Sequence, residues 1–367
     1  MKKIYCFFHL TVNQCVICCV EKYNEKFMAL ITKKKIPFKI SARLRKYLNK
    51  YGREKMLPIK YSDLLRFDNA FPLYDKKGKD TLWETVMYPQ NDLEEIYEAL
   101  KIIYADLKTD GDATVIKHLV VDRVDTCTYA NTRPFRIRIV NKINDNHDYF
   151  YIKLADASRI YGLELEHLLS PNVMSYCTHE DTLVEEHIAG IPADQFMNNH
   201  LNDANFNPIR LSKEFIKFNE RCFVRLLGDM HSSNFVIIVT PDFEDFHYRL
   251  RAIDFDQQSY EASKSVYMPQ YFKQNNAMIS MGMKYLTPES VNQYQAEERT
   301  LIANRLREEK IRMQDLIETM KRDTLSLPSN LDFLKQDLAK HYNNQKFLNC
   351  QNMGEVVELS LKQVLVH

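Results

Sequence analysis

Apolar positions first settle into a clear rhythm at residues 91–108, where Leu93, Ile96, Tyr97, Leu100, Ile103, Tyr104 and Leu107 recur at helical spacing. Asn91 or Asp92 is placed to cap that helix, and Gly111 lies just past its end. From residue 115 the period changes to two. VIKHLVV (115–121), FRIRIV (135–140) and YFYIKL (149–154) read as strands rich in β-branched and aromatic residues, the last two joined by the turn NDNHD (144–148). Residues 157–169 return to a helical pattern, and TLVEEHIAG (182–190) reads as a strand running into a Gly-Ile-Pro turn.

SKEFIKFNERCFVRLL (212–227) is helical, with Phe215, Phe218, Cys222 and Leu226 near one stripe. Two short apolar runs, 235–239 and 248–253, flank the polar turn TPDFEDF (240–246) and predict a hairpin. Beyond residue 265 the pattern is helical throughout. Thr287-Pro288 is a good helix start, a long helix is expected over 290–322, and Pro328 breaks the run. The order of elements predicts an α+β protein with a small antiparallel-sheet lobe and a larger helical lobe. The expected divisions are a weakly structured extension (1–27), a helical N-terminal region (28–112), a small nucleotide-binding lobe (113–190) and a helical catalytic and acceptor-binding lobe (191–367).

Composition narrows the functional classes. In 367 residues, 50 Lys and Arg balance 49 Asp and Glu, so the chain lacks the basic excess of a general nucleic-acid binder. Residues 33–60 do carry eleven basic residues against Glu54 alone, which reads as a solvated basic helix. No segment reaches the apolar length of a membrane helix. Cysteines cluster near the N-terminus and are otherwise far apart, as in a reduced, cytoplasmic protein. Cys15, Cys18 and Cys19 with His9 could offer zinc ligands, but a tetrahedral site normally comes from two separated pairs.

The polar residues around the predicted hairpin carry the chemistry. Asp229 and Asn234 lie in LLGDMHSSN, just ahead of its first strand, and Asp254 follows its second strand in RAIDFDQQ. A hairpin brings residues before its first strand close to those after its second. An amide oxygen and a carboxylate, Asn234 and Asp254, form a hard-oxygen pair suited to Mg²⁺. Asp229 is then left to accept a proton from a hydroxyl, the division of labour of phosphoryl transfer.

Leu-Gly-Asp229-Met-His231-Ser-Ser-Asn234 resembles the catalytic loop of the aminoglycoside phosphotransferase and choline-kinase-like group, commonly His-Gly-Asp-x-His-x-x-Asn. Ile253-Asp254-Phe255-Asp256 resembles the metal-binding segment of the same group. The resemblance covers residues 115–260. It implies a protein-kinase-like fold that uses ATP and Mg²⁺, with Asp229 as catalytic base, Asn234 and Asp254 as metal ligands, and His231 stabilising the loop. It also implies a strand lysine, Lys153, on the α/β-phosphates, paired with Glu164 or Glu166 on the next helix; Glu164 is the first choice. Backbone at Glu186–Ile188 would contact adenine, and DTCTYANT (125–132) would cover the phosphates. That turn has no glycine, although Thr126, Thr128, Asn131 and Thr132 offer donors, and Leu227 stands where the group often has His.

The expected activity is transfer of the ATP γ-phosphate to a hydroxyl of a small-molecule acceptor. A protein acceptor is an alternative, as is a non-catalytic nucleotide-binding module, which the glycine-free turn suggests. No nucleic-acid partner is expected.

Overall fold

A computed structural model describes residues 35–365 except 110–112, 129, 131 and 244. His9, Cys15, Cys18, Cys19, Gly111 and Asn131, and with them the expected extension 1–27, lie outside the described residues. The chain divides into two compact units. Of the described residues, one unit comprises Ile36–Ile160 and Met174–His187; the other comprises Lys35, Tyr161–Val173 and the chain from Ile188 onward.

The first unit is built on an antiparallel sheet. Its elements run α1 (Ala42–Lys50), β1 (Asn69–Tyr74), β2 (Asp80–Met87), α2 (Gln90–Lys108), α3 (Ala113–Ile116), β3 (Leu119–Thr126), β4 (Phe135–Asn141) and β5 (His147–Leu154). The start of α4 (Ala157–Leu169), β6 (Tyr176–His179) and β7 (Thr182–Glu186) complete it. The seven strands lie in the order β1-β2-β3-β4-β5-β7-β6.

Period-two alternation decides which face is buried. Phe150 and Ile152 of β5 and Val184 of β7 join Ile137 and Ile139 of β4 in a core that also takes Ile96, Leu100 and Ile103 from α2. The helical stripe in the sequence is thus the stripe that packs, each fully buried aliphatic or aromatic side chain contributing about 1.5–3 kcal/mol. Neither Asn91 nor Asp92 caps α2. Its N-cap is Pro89, whose carbonyl accepts from the N–H groups of Asp92 and Leu93.

Three expectations for this unit need correction. The region 28–112 is not simply helical, because β1 and β2 form a hairpin within it and share the sheet with β3. Their exposed faces carry Phe71, Tyr74, Leu82 and Met87, so the apolar alternation that marks a half-buried strand is missing. The predicted strand 115–121 begins at Leu119, after α3, and runs to Thr126; a register shift between Val121 and Arg123 interrupts its alternation. Thr126 therefore belongs to a strand, and the connection to β4 starts only at Cys127. In the described part of the basic segment, only 42–50 is α-helical; Ser41 Oγ accepts the Leu44 N–H at 3.0 Å, and Leu44, Tyr47 and Leu48 form its buried side.

The second unit contains the rest of α4, then β8 (Ile191–Pro192), α5 (Ala193–Asn199), α6 (Pro208–Val224), β9 (Phe235–Pro241), β10 (Phe246–Ala252), α7 (Asn276–Tyr285), α8 (Pro288–Glu308), α9 (Lys310–Met320), α10 (Pro328–His341) and α11 (Met353–Gln363). Thr287 caps α8 with Pro288 in its first turn, as the sequence suggests. The long helix expected over 290–322 is two helices divided at Glu309, and Pro328 opens α10 rather than merely ending its predecessor. The hairpin of β9 and β10 is present and gains β8 as a third strand. Among the described residues no helix is long and apolar enough to cross a membrane.

Candidate active site

The second unit brings two loops together at one end of the β9–β10 hairpin. The register pairs Phe235 with Ala252, so Asn234 and Ile253 face each other just beyond the ladder. The Ile253 N–H donates to the Asn234 carbonyl at 3.0 Å, extending the ladder by one bond. Further bonds lace residues 226–234 to 253–259. The Gly228 N–H donates to the Gln257 carbonyl at 3.2 Å, and the Ser259 N–H to the Leu226 carbonyl at 2.9 Å. Gly228 is needed for this approach, since a Cβ there would lie 3.1 Å from the Gln257 oxygen and 3.1 Å from Val266 Cγ1.

Asp229 stands at the turn of the first loop with φ at +62°, a left-handed conformation unusual for a residue with a side chain. Its backbone is fixed on both sides. The N–H donates to the Val266 carbonyl at 3.0 Å, while its carbonyl accepts from the His231 N–H at 2.9 Å and from Asn234 Nδ2 at 2.8 Å. Burial pushes the Asp229 carboxyl up to about 7, helped by the negative charges of Asp254, Glu261 and Asp256. His231 is held below its ordinary range by burial, against the opposing pull of Asp254 and Asp194. Its Nε2 lies 3.9 Å from Asp229 Oδ1, and its carbonyl accepts the Asn234 N–H at 2.8 Å.

The donor set fits a magnesium ion. Asn234 commits its amide nitrogen to the Asp229 carbonyl, so its other amide atom, Oδ1, is the one presented elsewhere. Asp254 is oriented in turn by the Asp256 N–H, which donates to Asp254 Oδ1 at 2.9 Å. Among the described residues no group of three or more His, Cys, Asp or Glu could hold a metal ion. Magnesium does not require one, because it keeps waters and completes its shell with substrate phosphates.

Helix α4 contributes acids to this unit. Glu164 accepts from Arg312 NH2 at 2.8 Å, and Glu166 accepts from Ser170 Oγ at 2.7 Å, from Asn172 Nδ2 at 2.8 Å and from Arg225 NH1. Arg225 immediately precedes the Asp229 loop, and its carbonyl accepts from Gln258 Nε2 at 2.6 Å. On the same helix, Gly162 faces the metal-side loop: a Cβ there would lie 3.0 Å from Phe255 Cβ and 3.2 Å from Gln258 Cβ.

Lys153 lies in the sheet unit, on β5, and is buried. There it donates to Glu185 Oε2 on β7 at 2.8 Å. Arg159 shares that carboxylate, with Nε on Oε1 and NH2 on Oε2, the latter at 2.7 Å. Sequence reasoning passed over both Glu185 and Arg159. The signal for Glu185 was available in strand parity, because TLVEE places Glu185, not Glu186, on the face of Leu183. Glu186 is engaged at the end of β7: its N–H donates to the Ser175 carbonyl at 3.0 Å, and its Oε1 accepts the Ser175 N–H at 2.9 Å. Ile188 follows as a buried residue at the start of the helical unit's main segment. In the glycine-free turn Thr132 is buried, and Arg133, just after it, has φ at +41°. Asp125, at the base of that turn, is fully buried between Arg123 and Arg136.

The chain is thus α+β: a sheet unit with a buried strand lysine, followed along the sequence by a helical unit whose hairpin loops carry Asp229, Asn234 and Asp254. Similar solved structures include the Helicobacter pylori proinflammatory kinase CtkA, with TM-score 0.32, 11% identity, and coverage of 63% of this chain and 94% of that one. Another is titin kinase with its flanking domains, with TM-score 0.27, 10% identity, and coverage of 66% of this chain and 54% of that one. No family model and no curated protein matches the chain.

Proposed function

We propose that the chain is an ATP- and Mg²⁺-dependent phosphotransferase that moves the γ-phosphate onto a hydroxyl of a small-molecule acceptor. The observation that carries this reading is the lacing of the two loops. It holds the Asp229 backbone from both sides, turns the Asn234 amide by its bond to Asp229, and brings Asp254 close enough to raise the Asp229 carboxyl. Asn234 and Asp254 would hold magnesium, which supplies positive charge against the β/γ-phosphates. Lys153 would hold the α/β-phosphates, and backbone near Glu186–Ile188 would meet the adenine edge.

Asp229 is suited to take the acceptor proton because its carboxyl titrates near neutrality rather than in the ordinary carboxylate range. Most of the acceleration would come from positioning and from neutralising charge on the transferred group. The test is a pair of variants in an ATP-turnover and nucleotide-binding assay. Asp229→Ala should keep Mg²⁺-dependent ATP binding and lose transfer by about 10²–10⁴-fold. Asp254→Ala should lose the magnesium dependence of binding. Normal turnover by Asp229→Ala would refute the assignment of the base.

A second reading is a nucleotide-binding module without transfer. It is favoured by the 125–132 turn, where no glycine is present and Asp125 is tied into ion pairs. That reading predicts ATP binding with no phosphoryl transfer to any acceptor or to water.

A further inference from the structure

We propose that the groove between α9 and α11 binds an aliphatic carboxylate, its head group at Arg307 and Lys310 and its alkyl chain along the two helices. None of the lining residues belongs to the set assigned to phosphoryl transfer, so the inference stands or falls apart from that reading.

The groove follows from one close approach. Gly354, in the first turn of α11, packs on the end of α9, where a Cβ would lie 2.4 Å from the Lys321 nitrogen and 2.6 Å from the Met320 carbonyl carbon. A glycine is required for backbones to meet so closely. Lys321 clamps the same end, its Nζ lying 2.8 Å from Glu318 and 3.0 Å from Glu358. From there a cavity of about 770 Å³ runs between the helices to Leu306 and Leu365, a size typical of small-ligand sites. Its floor is apolar. Met313 and Ile317 lie on one face of α9, four residues apart, and Leu361 faces them from α11; all three are buried. Leu365, 44% exposed, leaves that floor open to solvent at the far end.

Charge decides what kind of molecule fits. At the clamped end the carboxylates are matched, Glu318 by Lys321, and Glu358 by Lys321 and by Lys362 at 2.9 Å. At the other end Arg307 donates to Asn304 Oδ1 at 2.8 Å, and among the described residues neither Arg307 nor Lys310 has a carboxylate partner. The groove is thus neutral at one end and positive at the other, over a floor of aliphatic and thioether side chains. An alkyl chain ending in a carboxylate answers both properties. The floor takes the chain, while the guanidinium offers a planar fork and the ammonium a compact charge to the head group. An alcohol of the same length leaves the cations unanswered, and an alkylammonium meets like charge.

The test titrates octanoate, decanoate, dodecanoate, decan-1-ol and decylammonium into the full chain by calorimetry, each below its critical micelle concentration. Expected is saturable, single-site binding of the carboxylates, strengthening by up to about fourfold per added methylene. Decan-1-ol should bind about tenfold more weakly than decanoate, and decylammonium more weakly still. Arg307→Gln with Lys310→Gln should lower decanoate to the level of decan-1-ol and leave decan-1-ol unchanged. Leu365→Gln should weaken both. These three side chains are exposed, so the variants should keep the wild-type circular dichroism. A diazirine-bearing dodecanoate should label peptides of α9 and α11. Equal affinity for decanoate and decan-1-ol, no saturable binding, labelling elsewhere, or unchanged decanoate affinity in the Arg307/Lys310 variant overturns the proposal. So does self-association in sedimentation velocity that Leu365→Gln abolishes, since a second copy of the chain would then fill the groove.

Discussion

Asn234 donates its side-chain amide N–H to the backbone carbonyl of Asp229 at 2.8 Å, so one expected metal ligand also holds the expected base in place. Asn234→Asp separates the two duties. It keeps a hard oxygen for magnesium but replaces the donor with a carboxylate facing a carbonyl. Expected is a fall in kcat of about tenfold or more, as for loss of a buried hydrogen bond, with a smaller change in KM for ATP. Steady-state kinetics decides; a raised KM for ATP with unchanged kcat would assign Asn234 to nucleotide binding alone.

The Asp229 carboxyl makes stability depend on pH in a definite direction. Burial, then Asp254, Glu261 and Asp256, raise it from the ordinary 3.8 to about 7. Between these values the folded chain holds a proton that the unfolded chain has released. Stability therefore falls as pH rises through this window and levels off above about 7. Compared with Asp229→Asn, the ligand-free wild type should lose on the order of 1 kcal/mol per pH unit in the upper part of the window. Denaturant unfolding at several pH values measures the difference, and parallel curves for the two proteins would contradict it. Saturating Mg²⁺ and ATP should narrow the wild-type window, because a cation near Asp254 offsets that residue's charge while the larger effect of burial remains.

Gly162 gives a prediction in which local and tertiary preferences conflict. Alanine in a helix is favoured over glycine by about 1 kcal/mol. Here its Cβ would lie 3.0 Å from Phe255 Cβ and 3.2 Å from Gln258 Cβ, tighter than ordinary contact. Overpacking costs about 1–3 kcal/mol. Gly162→Ala should therefore lower Tm despite the better helix former, and weaken Mg²⁺-dependent ATP binding by displacing the segment after Asp254. A rise in Tm with unchanged binding would mean that the loop yields without consequence.

Glu166 tests the support beneath the Asp229 loop. Glu166→Gln removes the charge facing buried Arg225 while keeping an oxygen for Ser170 and Asn172. Breaking one side of a buried ion pair costs about 3–5 kcal/mol. Denaturant titration should show a loss of that order. Replacing both partners with apolar residues, Glu166→Met with Arg225→Met, should recover much of it.

Much of the helical framework was legible because its apolar stripes are wide and its caps conventional. Residues 157–169 are helical as expected, and Thr287-Pro288 opens α8. The β1–β2 hairpin was not legible, since Phe71 and Leu82 face outward and Pro72 interrupts the strand pattern. At the site, the expected gathering of Asp229, Asn234 and Asp254 around one hairpin agrees with the loop bonds, because hairpin connectivity is a local property. The Lys153–Glu185–Arg159 cluster depends on which strands become neighbours in the sheet. Strand β7 pairs with β5 across the whole of α4 and β6, a long-range choice that periodicity does not encode.

The ladder between β2 and β3 contains only Glu84 with Thr126 and Thr85 with Asp125. Such a short seam gives way before the sheet interior does. Amide protons of β1 and β2 should accordingly trade for deuterium well ahead of those in β4 and β5, detaching the hairpin as a separate, earlier-opening leaf while the strand that bears the lysine stays closed.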